Sequence, residues 1–222
     1  MPLPYTGSKG ELNFEADMIE LLTHAGWEKE ILRNKTVPEL IENWKTILFE
    51  RNRRTLNNVP LSNDEMDRVL DVVKTQANTP VKANHFINGR PIAIKRDSDS
   101  PDTQHAGYEV YLEVFSSAQI AGGSSRYQIA EQTYFSTDPQ YNDRRGDLTL
   151  LINGMPVIHI ELKASGVDVD EATTQIIKYA HEGIWKGFMG LVQVFWAITP
   201  EDAVFFANAG DYEDFNPAFF FR

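Results

Sequence analysis

Apolar positions recur along the chain in two rhythms. In the first part the period is helical. Phe14, Met18, Ile19, Leu21 and Leu22 follow a 3.6-residue repeat, which predicts a helix over 14–25 closed by Gly26. Residues 38–57 predict a second helix, opened by Pro38 and ended by Asn57-Asn58. Residues 62–76 predict a third, with Ser62 as N-cap and Glu65 completing a capping box. Residues 1–10 form a loose arm. From 80 to 107 the pattern gives short extended pieces, a turn at Asn88-Gly89 and a polar loop from Asp97 to Gly107. Period two then takes over. Tyr108, Val110, Leu112 and Val114 alternate with Glu109, Tyr111, Glu113 and Phe115, and 126–135 predicts another strand. The small polar stretch 116–125 is a loop. A helix ends near His181 or Gly183, with Asp168 or Asp170 as its N-cap. Strands follow at 191–198 and 203–208, joined by Thr199-Pro200-Glu201-Asp202. The near-continuous apolarity of Val192–Ile198, interrupted only by Gln193, calls for a central strand covered on both faces. The expected class is α/β (α+β), a mixed central sheet flanked by helices in one domain. Residues 1–80 are mainly helical and 81–222 carry the sheet.

The strongest local signal lies between Arg145 and Lys163. Two alternating runs flank Asn153-Gly154, a hairpin turn signature. Leu148, Leu150 and Ile152 share one face of the first run, while Ile158, Ile160 and Leu162 share one face of the second. A plain two-residue loop would pair Asp147 with Ile160 and put a carboxylate among apolar side chains. One extra residue pairs Asp147 with Glu161 and unites the apolar faces. A one-residue slip flips every side chain, so the second register is expected, through a three-residue loop or a bulge near Asn153–Met155. Pro156, which cannot donate to the ladder, suits such an irregular start.

That register gathers Asp147, Glu161 and, two residues on, Lys163. Paired carboxylates repel unless a cation binds them. A hard divalent ion suits oxygen ligands, and magnesium commonly takes one or two carboxylates with water and phosphate oxygens. With an ammonium beside it to hold the attacking water, this is equipment for metal-assisted phosphodiester hydrolysis.

Charge complicates that reading. The 222 residues hold 21 Lys and Arg against 32 Asp and Glu, a net charge of −11. Non-specific DNA affinity comes mainly from cations that neutralise phosphates, so this chain is ill equipped to grip DNA unaided. With 42% hydrophobic and 24% charged residues it has the composition of a globular protein. No apolar run reaches membrane-spanning length and no signal peptide is visible. The absence of cysteine excludes disulfides and thiolate metal sites and fits a cytoplasmic protein.

Asp147, thirteen intervening residues and Glu161-Leu162-Lys163 resemble the PD-(D/E)XK nuclease superfamily. The fuller string Arg145-Gly146-Asp147, Asn153-Gly154-Met155-Pro156 and Ile160-Glu161-Leu162-Lys163 resembles, more specifically, the N-terminal nuclease domain of the restriction (R) subunit of type I restriction-modification enzymes. Gly146 departs from the superfamily name, since proline would stand there; in this family that proline is often absent.

The resemblance implies a restriction-endonuclease-like, RecB-like core and a Mg2+-dependent endonuclease acting on unmodified double-stranded DNA, with Mn2+ as a possible substitute. It implies Asp147 and Glu161 as metal ligands, joined by Glu15 from the opening helix. Glu15 has an alternative reading, as a carboxylate favouring the positive helix N-terminus. Lys163 is the implied water-positioning group. Gln175 and Tyr179, four apart on one helix face, match a Q-x-x-x-Y element that supports the site or the DNA backbone. Arg145 is expected to meet a scissile phosphate or to pair with Asp143 or Glu161. The family's polypeptides continue into helicase-like motor domains that bind ATP, and assemble with methyltransferase and specificity subunits. No G-x-x-x-x-G-K-[ST] loop occurs here. With its Phe219-Phe220-Phe221-Arg222 ending, the chain reads as the N-terminal fragment of such a subunit.

The remaining candidates read blandly. Arg51, Arg53 and Arg54 form a solvated helix face. Gln132 receives no chemical role. His159 is expected to pack or hydrogen-bond at the edge of the site, and the histidines lack zinc spacing. No G-x-S-x-G elbow is present. Two other functions stay open: a catalytically silent nuclease-like docking module, and a stand-alone nuclease acting on RNA or repair intermediates.

Overall fold

The structure, a computed structural model, describes residues 5–87, 91–115, 125–135, 144–210 and 215–222. Its centre is a sheet of six strands in the order β1-β4-β5-β6-β7-β8. These are β1 (Leu32–Arg33), β4 (Tyr127–Tyr134), β5 (Arg145–Ile152), β6 (Met155–Leu162), β7 (Val194–Ile198) and β8 (Ala203–Ala207). β4, β5 and β6 run antiparallel as a meander. β1 joins β4 and β7 joins β6 in parallel, and β8 closes the edge antiparallel. A parallel neighbour needs a crossover, and helix α5 (Val169–His181) supplies it between β6 and β7. A separate two-stranded sheet pairs β2 (Ile92–Lys95) with β3 (Glu109–Leu112).

Helices cover both sheet faces. Helix α1 (Gly7–His24) lays Ile19 and Leu22 on Ile129, Leu148, Leu150, Ile160 and Leu162. The opposite face carries the larger core. There α2 (Val37–Arg51), α3 (Asn63–Gln76), α4 (Pro80–Ile87) and α5 contribute Leu40, Trp44, Val69, Phe86 and Ile176 against Leu151, Met155 and Phe195. This is the mixed α+β sheet with flanking helices that the sequence predicts, and it is consistent with a restriction-endonuclease-like core.

The sequence reading holds best where signals are local. Ser62 and Glu65 form both halves of the expected capping box on α3. Asp168 caps α5. α2 opens one residue earlier than expected, with its own capping box between Thr36 and Glu39, and its helical geometry stops at Arg51. Two elements escaped the pattern. α4, taken for extended chain, is a helix begun by Pro80 whose Ala83, Phe86 and Ile87 bury one stripe. β1 is two residues long and is defined only by its pairing with β4. α1 starts at Gly7, two turns before the expected start. The expected turn at Asn88-Gly89, the loop over 116–124 and the approach through 141–143 lie outside the described residues.

The hairpin register is the expected one, reached differently. Asn153 and Gly154 both have positive φ, 52° and 84°, and form a two-residue turn with Ile152 opposite Met155. The extra residue comes later. The register shifts between Leu150 and Leu151, leaving Leu150 opposite Ile158 and Leu148 opposite Ile160. Continued by one residue, that ladder sets Asp147 opposite Glu161. Gly154 also permits close packing, since a Cβ there would sit 2.9 Å from the Trp44 Cα of α2.

Candidate active site

The sheet brings Asp147 from β5 and Glu161 from β6 side by side at one end of the hairpin. Asp147 Oδ2 accepts the Leu162 backbone N–H at 2.7 Å, which locks its carboxylate across the ladder. Glu161 is 1% exposed. Burial, and for Asp147 also the neighbouring Glu161 charge, pushes both carboxyls up to about 8. Lys163 follows β6 and keeps its ammonium 3.6 Å from Glu161 Oε1. One nearby ammonium does not offset the cost of ionising both carboxyls, so without a further cation they tend to keep their protons at neutral pH.

α5 reaches the same carboxylate from its own layer. Gln175 Nε2 donates to Glu161 Oε1 and, at 2.8 Å, to the Tyr179 hydroxyl. That hydroxyl donates in turn to the Arg145 carbonyl at 3.0 Å. The two side chains share a face because they are four apart on a helix, and together they tie α5 to β6 and to the backbone just before Asp147. A groove of about 630 Å³ opens beside them, lined also by Arg144, Lys178, Asp168, Asp170 and Glu171.

The other face contributes Glu15, buried at 4% exposure, whose two oxygens both accept from Gln132 Nε2 at 2.7 Å. Burial, with a smaller push from Asp147, raises Glu15 to about 7 against the hydrogen bond from Gln132. It sits in the third turn of α1, whose first turn carries no acid, so the helix N-terminus does not account for it. Gln132 has a φ of 56° and falls at the β4 position opposite Asp147, between Glu131↔Leu148 and Thr133↔Gly146. That left-handed kink accompanies its contact with α1.

His159 lies deeper than expected. It is fully buried on β6, with Trp185 at 4.8 Å, Phe135 at 5.6 Å and Phe195 at 6.4 Å between ring centroids. Its Nε2 is 3.1 Å from Glu161 Oε2 and its Nδ1 3.3 Å from Thr149 Oγ1. Burial holds it down at about 4, so the imidazole is neutral at physiological pH.

Of the expected site residues, Asp147, Glu161, Lys163, Gln175 and Tyr179 come together. Glu15 is electrostatically coupled to them but is held by Gln132. Among the described residues no three His, Asp or Glu side chains form a ready metal cage. Arg145 makes no ion pair with Glu161, one of its expected partners, among the described residues. It is exposed, with its guanidinium 5.9 Å over the Tyr134 ring, while the Glu161 oxygens are engaged by His159, Lys163 and Gln175. Its alternative partner Asp143 lies outside the described residues. Arg51 and Arg53 are also occupied, by Asn153, Glu113 and the Phe49 ring. Sequence reasoning missed Glu11, one turn before Glu15, which adds its charge to that felt by Asp147 and Glu161; the i, i+4 spacing from Glu15 was the available signal. Gln132, given no chemical role from the sequence, holds Glu15. His159 packs and hydrogen-bonds as expected, but in the interior and not at the edge.

Comparison with known proteins identifies the family of the chain. The family described as "Type I restriction enzyme R protein N terminus" matches residues 11–214. The chain is 30% identical over 200 residues to the type I restriction enzyme SsaAORF53P endonuclease subunit of Staphylococcus saprophyticus, covering 90% of this chain and 20% of that protein. It is 27% identical over the same length to the SauMSSORF170P endonuclease subunit of Staphylococcus aureus, with the same coverage. A shorter match, 38% over 66 residues, is to the EcoprrI endonuclease subunit of Escherichia coli. The chain spans about a fifth of the length of these relatives. With the family matched across nearly its whole length, this chain belongs to the N-terminal domain family of type I restriction enzyme R proteins.

Proposed function

We propose that this domain is a magnesium-dependent DNA endonuclease that hydrolyses phosphodiester bonds with Asp147, Glu161 and Lys163. The observation that carries the reading is the pairing, across the β5–β6 hairpin, of half-buried Asp147 with buried Glu161, whose carboxyls are both pushed up to about 8 with one ammonium, Lys163, 3.6 Å from Glu161. A divalent cation is the natural complement to such a pair, and an all-oxygen donor set fits magnesium or manganese. Asp147 and Glu161 would hold the ion, with Glu15 a further carboxylate near the site. The ion would supply Lewis-acid activation of water and neutralisation of the phosphate.

The chain's own residues do the rest. Gln175 fixes one Glu161 oxygen and Tyr179 fixes the backbone entering Asp147, so the carboxylates keep their aim while DNA docks. Lys163, 3.6 Å from Glu161, orients the attacking water. Arg145, exposed beside Tyr134, offers a guanidinium to a phosphate. A net charge of −11 supports a domain that is presented with DNA by others rather than one that captures it. Those others would be the helicase-like ATP-binding domains of a longer chain and the methyltransferase and specificity subunits of a cytoplasmic restriction complex. Among the described residues no helix is long and apolar enough to cross a membrane.

The test is titration of Mn2+ or Mg2+ into the chain and into Asp147→Asn and Glu161→Gln, followed by DNA cleavage in the assembled complex. Millimolar binding in the parent, lost in both variants together with cleavage, is expected. Equal heats in all three proteins with unchanged cleavage would sink the assignment and leave a docking module.

A further inference from the structure

Glu161 is held from two sides, and the proposed function uses only one. Its Oε1 receives Gln175 and faces Lys163. Its Oε2 lies 3.1 Å from the His159 imidazole, and the Asp147 carboxyl is a further hydrogen-bonding neighbour of Glu161. Resting on the metal-nuclease reading, we propose that His159 is a positioning residue that donates its Nε2–H to Glu161 Oε2 and so presents the carboxylate to the cation.

The chemistry constrains the tautomer. A metal-binding Glu161 is ionised, and a carboxylate only accepts hydrogen bonds. Nε2 must therefore carry the proton. Nδ1 then has a lone pair, and the Thr149 hydroxyl, 3.3 Å away, is placed to donate to it. The opposite tautomer puts the proton on Nδ1 and leaves Nε2 as a bare acceptor against Glu161. That arrangement is compatible only with a protonated Glu161, which cannot hold a cation in the same way. Thr149, on β5 opposite His159 in the ladder, accommodates the competent form, since its hydroxyl can donate to the bare Nδ1. The imidazole has no freedom to leave, because Phe135, Trp185 and Phe195 surround it and the Gly146 backbone lies against its Cε1 edge. An outer partner of this kind ordinarily tunes metal affinity by on the order of 10- to 100-fold.

The test compares Mn2+ affinity of the whole chain with that of His159→Leu, which fills the box without a donor, and His159→Gln, which restores one. Weakening on the order of 10- to 100-fold in His159→Leu, recovered to within about threefold in His159→Gln, supports the role. Parent affinity in His159→Leu, or equal loss in both variants, overturns it. Asp147→Asn separates the two levels of the argument. If binding is lost there but untouched in His159→Leu, the role of His159 alone fails; if Asp147→Asn binds Mn2+ as the parent does, the metal reading fails and this inference with it. Should His159→Leu not fold, imidazole 15N NMR of the parent chain saturated with Mg2+ decides. An Nε2–H tautomer supports the assignment and an Nδ1–H tautomer overturns it.

Discussion

Gly146 and His159 fit together so closely that a Cβ on Gly146 would lie 2.4 Å from the His159 Cε1 atom. The same Cβ would meet Phe135 Cζ at 2.4 Å. In the PD-(D/E)XK pattern that the sequence resembles, proline would stand at the position of Gly146, and here the imidazole and phenyl rings lie where even a Cβ would clash. Gly146→Ala should therefore overpack the box, at a cost of about 1–3 kcal/mol. For a chain of this size that lowers Tm by roughly 2–4 °C per kcal/mol. Thermal unfolding with Mn2+ titration checks it. Parent stability and affinity together would mean that the rings move aside freely.

Removing charge from the carboxylate pair should separate function from stability. Asp147→Asn and Glu161→Gln are each expected to lower cleavage by at least about 100-fold, because both are placed in the machinery. Without metal at pH 8, each should also raise stability, by about 1–2 kcal/mol, since one of two mutually repelling buried groups no longer ionises. Urea unfolding in chelator reads this directly. A loss of stability there would show that the pair is already compensated within the protein.

The same pair sets a pH dependence. Both carboxyls rise from ordinary values of 3.8 and 4.5 to about 8 in the folded chain. Between those values the folded state binds more protons than the unfolded state, so unfolding free energy falls as pH rises. The contribution is fully present below about pH 4 and is lost through about pH 8. Each pH unit is worth about 1.4 kcal/mol per group at most, and coupling reduces the total. We expect Tm in chelator to fall by roughly 5–10 °C between pH 5 and pH 9 from this pair. Saturating Mg2+ should restore more stability at pH 9 than at pH 6, with protons released on binding. A metal-free Tm that climbs across this range would contradict the shifts.

Tyr179→Phe removes one oxygen and keeps the ring. The Arg145 carbonyl loses its side-chain donor and Gln175 loses one of its two acceptors, keeping Glu161. The expected cost is about 1–2 kcal/mol. Cleavage should fall while Mn2+ affinity changes little, since Tyr179 acts on the backbone and not on Glu161. Gln175→Ala should behave oppositely, weakening Mn2+ binding more than it lowers Tm. Matching effects in the two variants would mean that the helix acts only as a unit.

The sequence by itself determined whatever repeats locally. Alternation and Asn153-Gly154 defined the hairpin, and the need to keep Asp147 off the apolar face required an extra residue in it. Ser62 and Glu65 declared the start of α3, because a capping box closes within one turn. Asp147, Glu161 and Lys163 were legible together since one hairpin spans them, and Gln175 and Tyr179 since one helix face does. The tertiary structure decided the rest. Where the extra residue sits was settled by packing of both hairpin faces, which put the register shift beside Leu150 and Leu151 rather than in the turn. The contact between Glu15 and Gln132 spans 117 residues and joins a helix to a strand kinked at one left-handed residue. His159 looked like an edge residue because alternation places it on the charged face. Only the aromatic residues that close over that face, Trp185 and Phe195 from distant chain, make it interior. Period and capping are properties of neighbours in sequence, whereas burial is set by which segments pack together, and no local pattern encodes that.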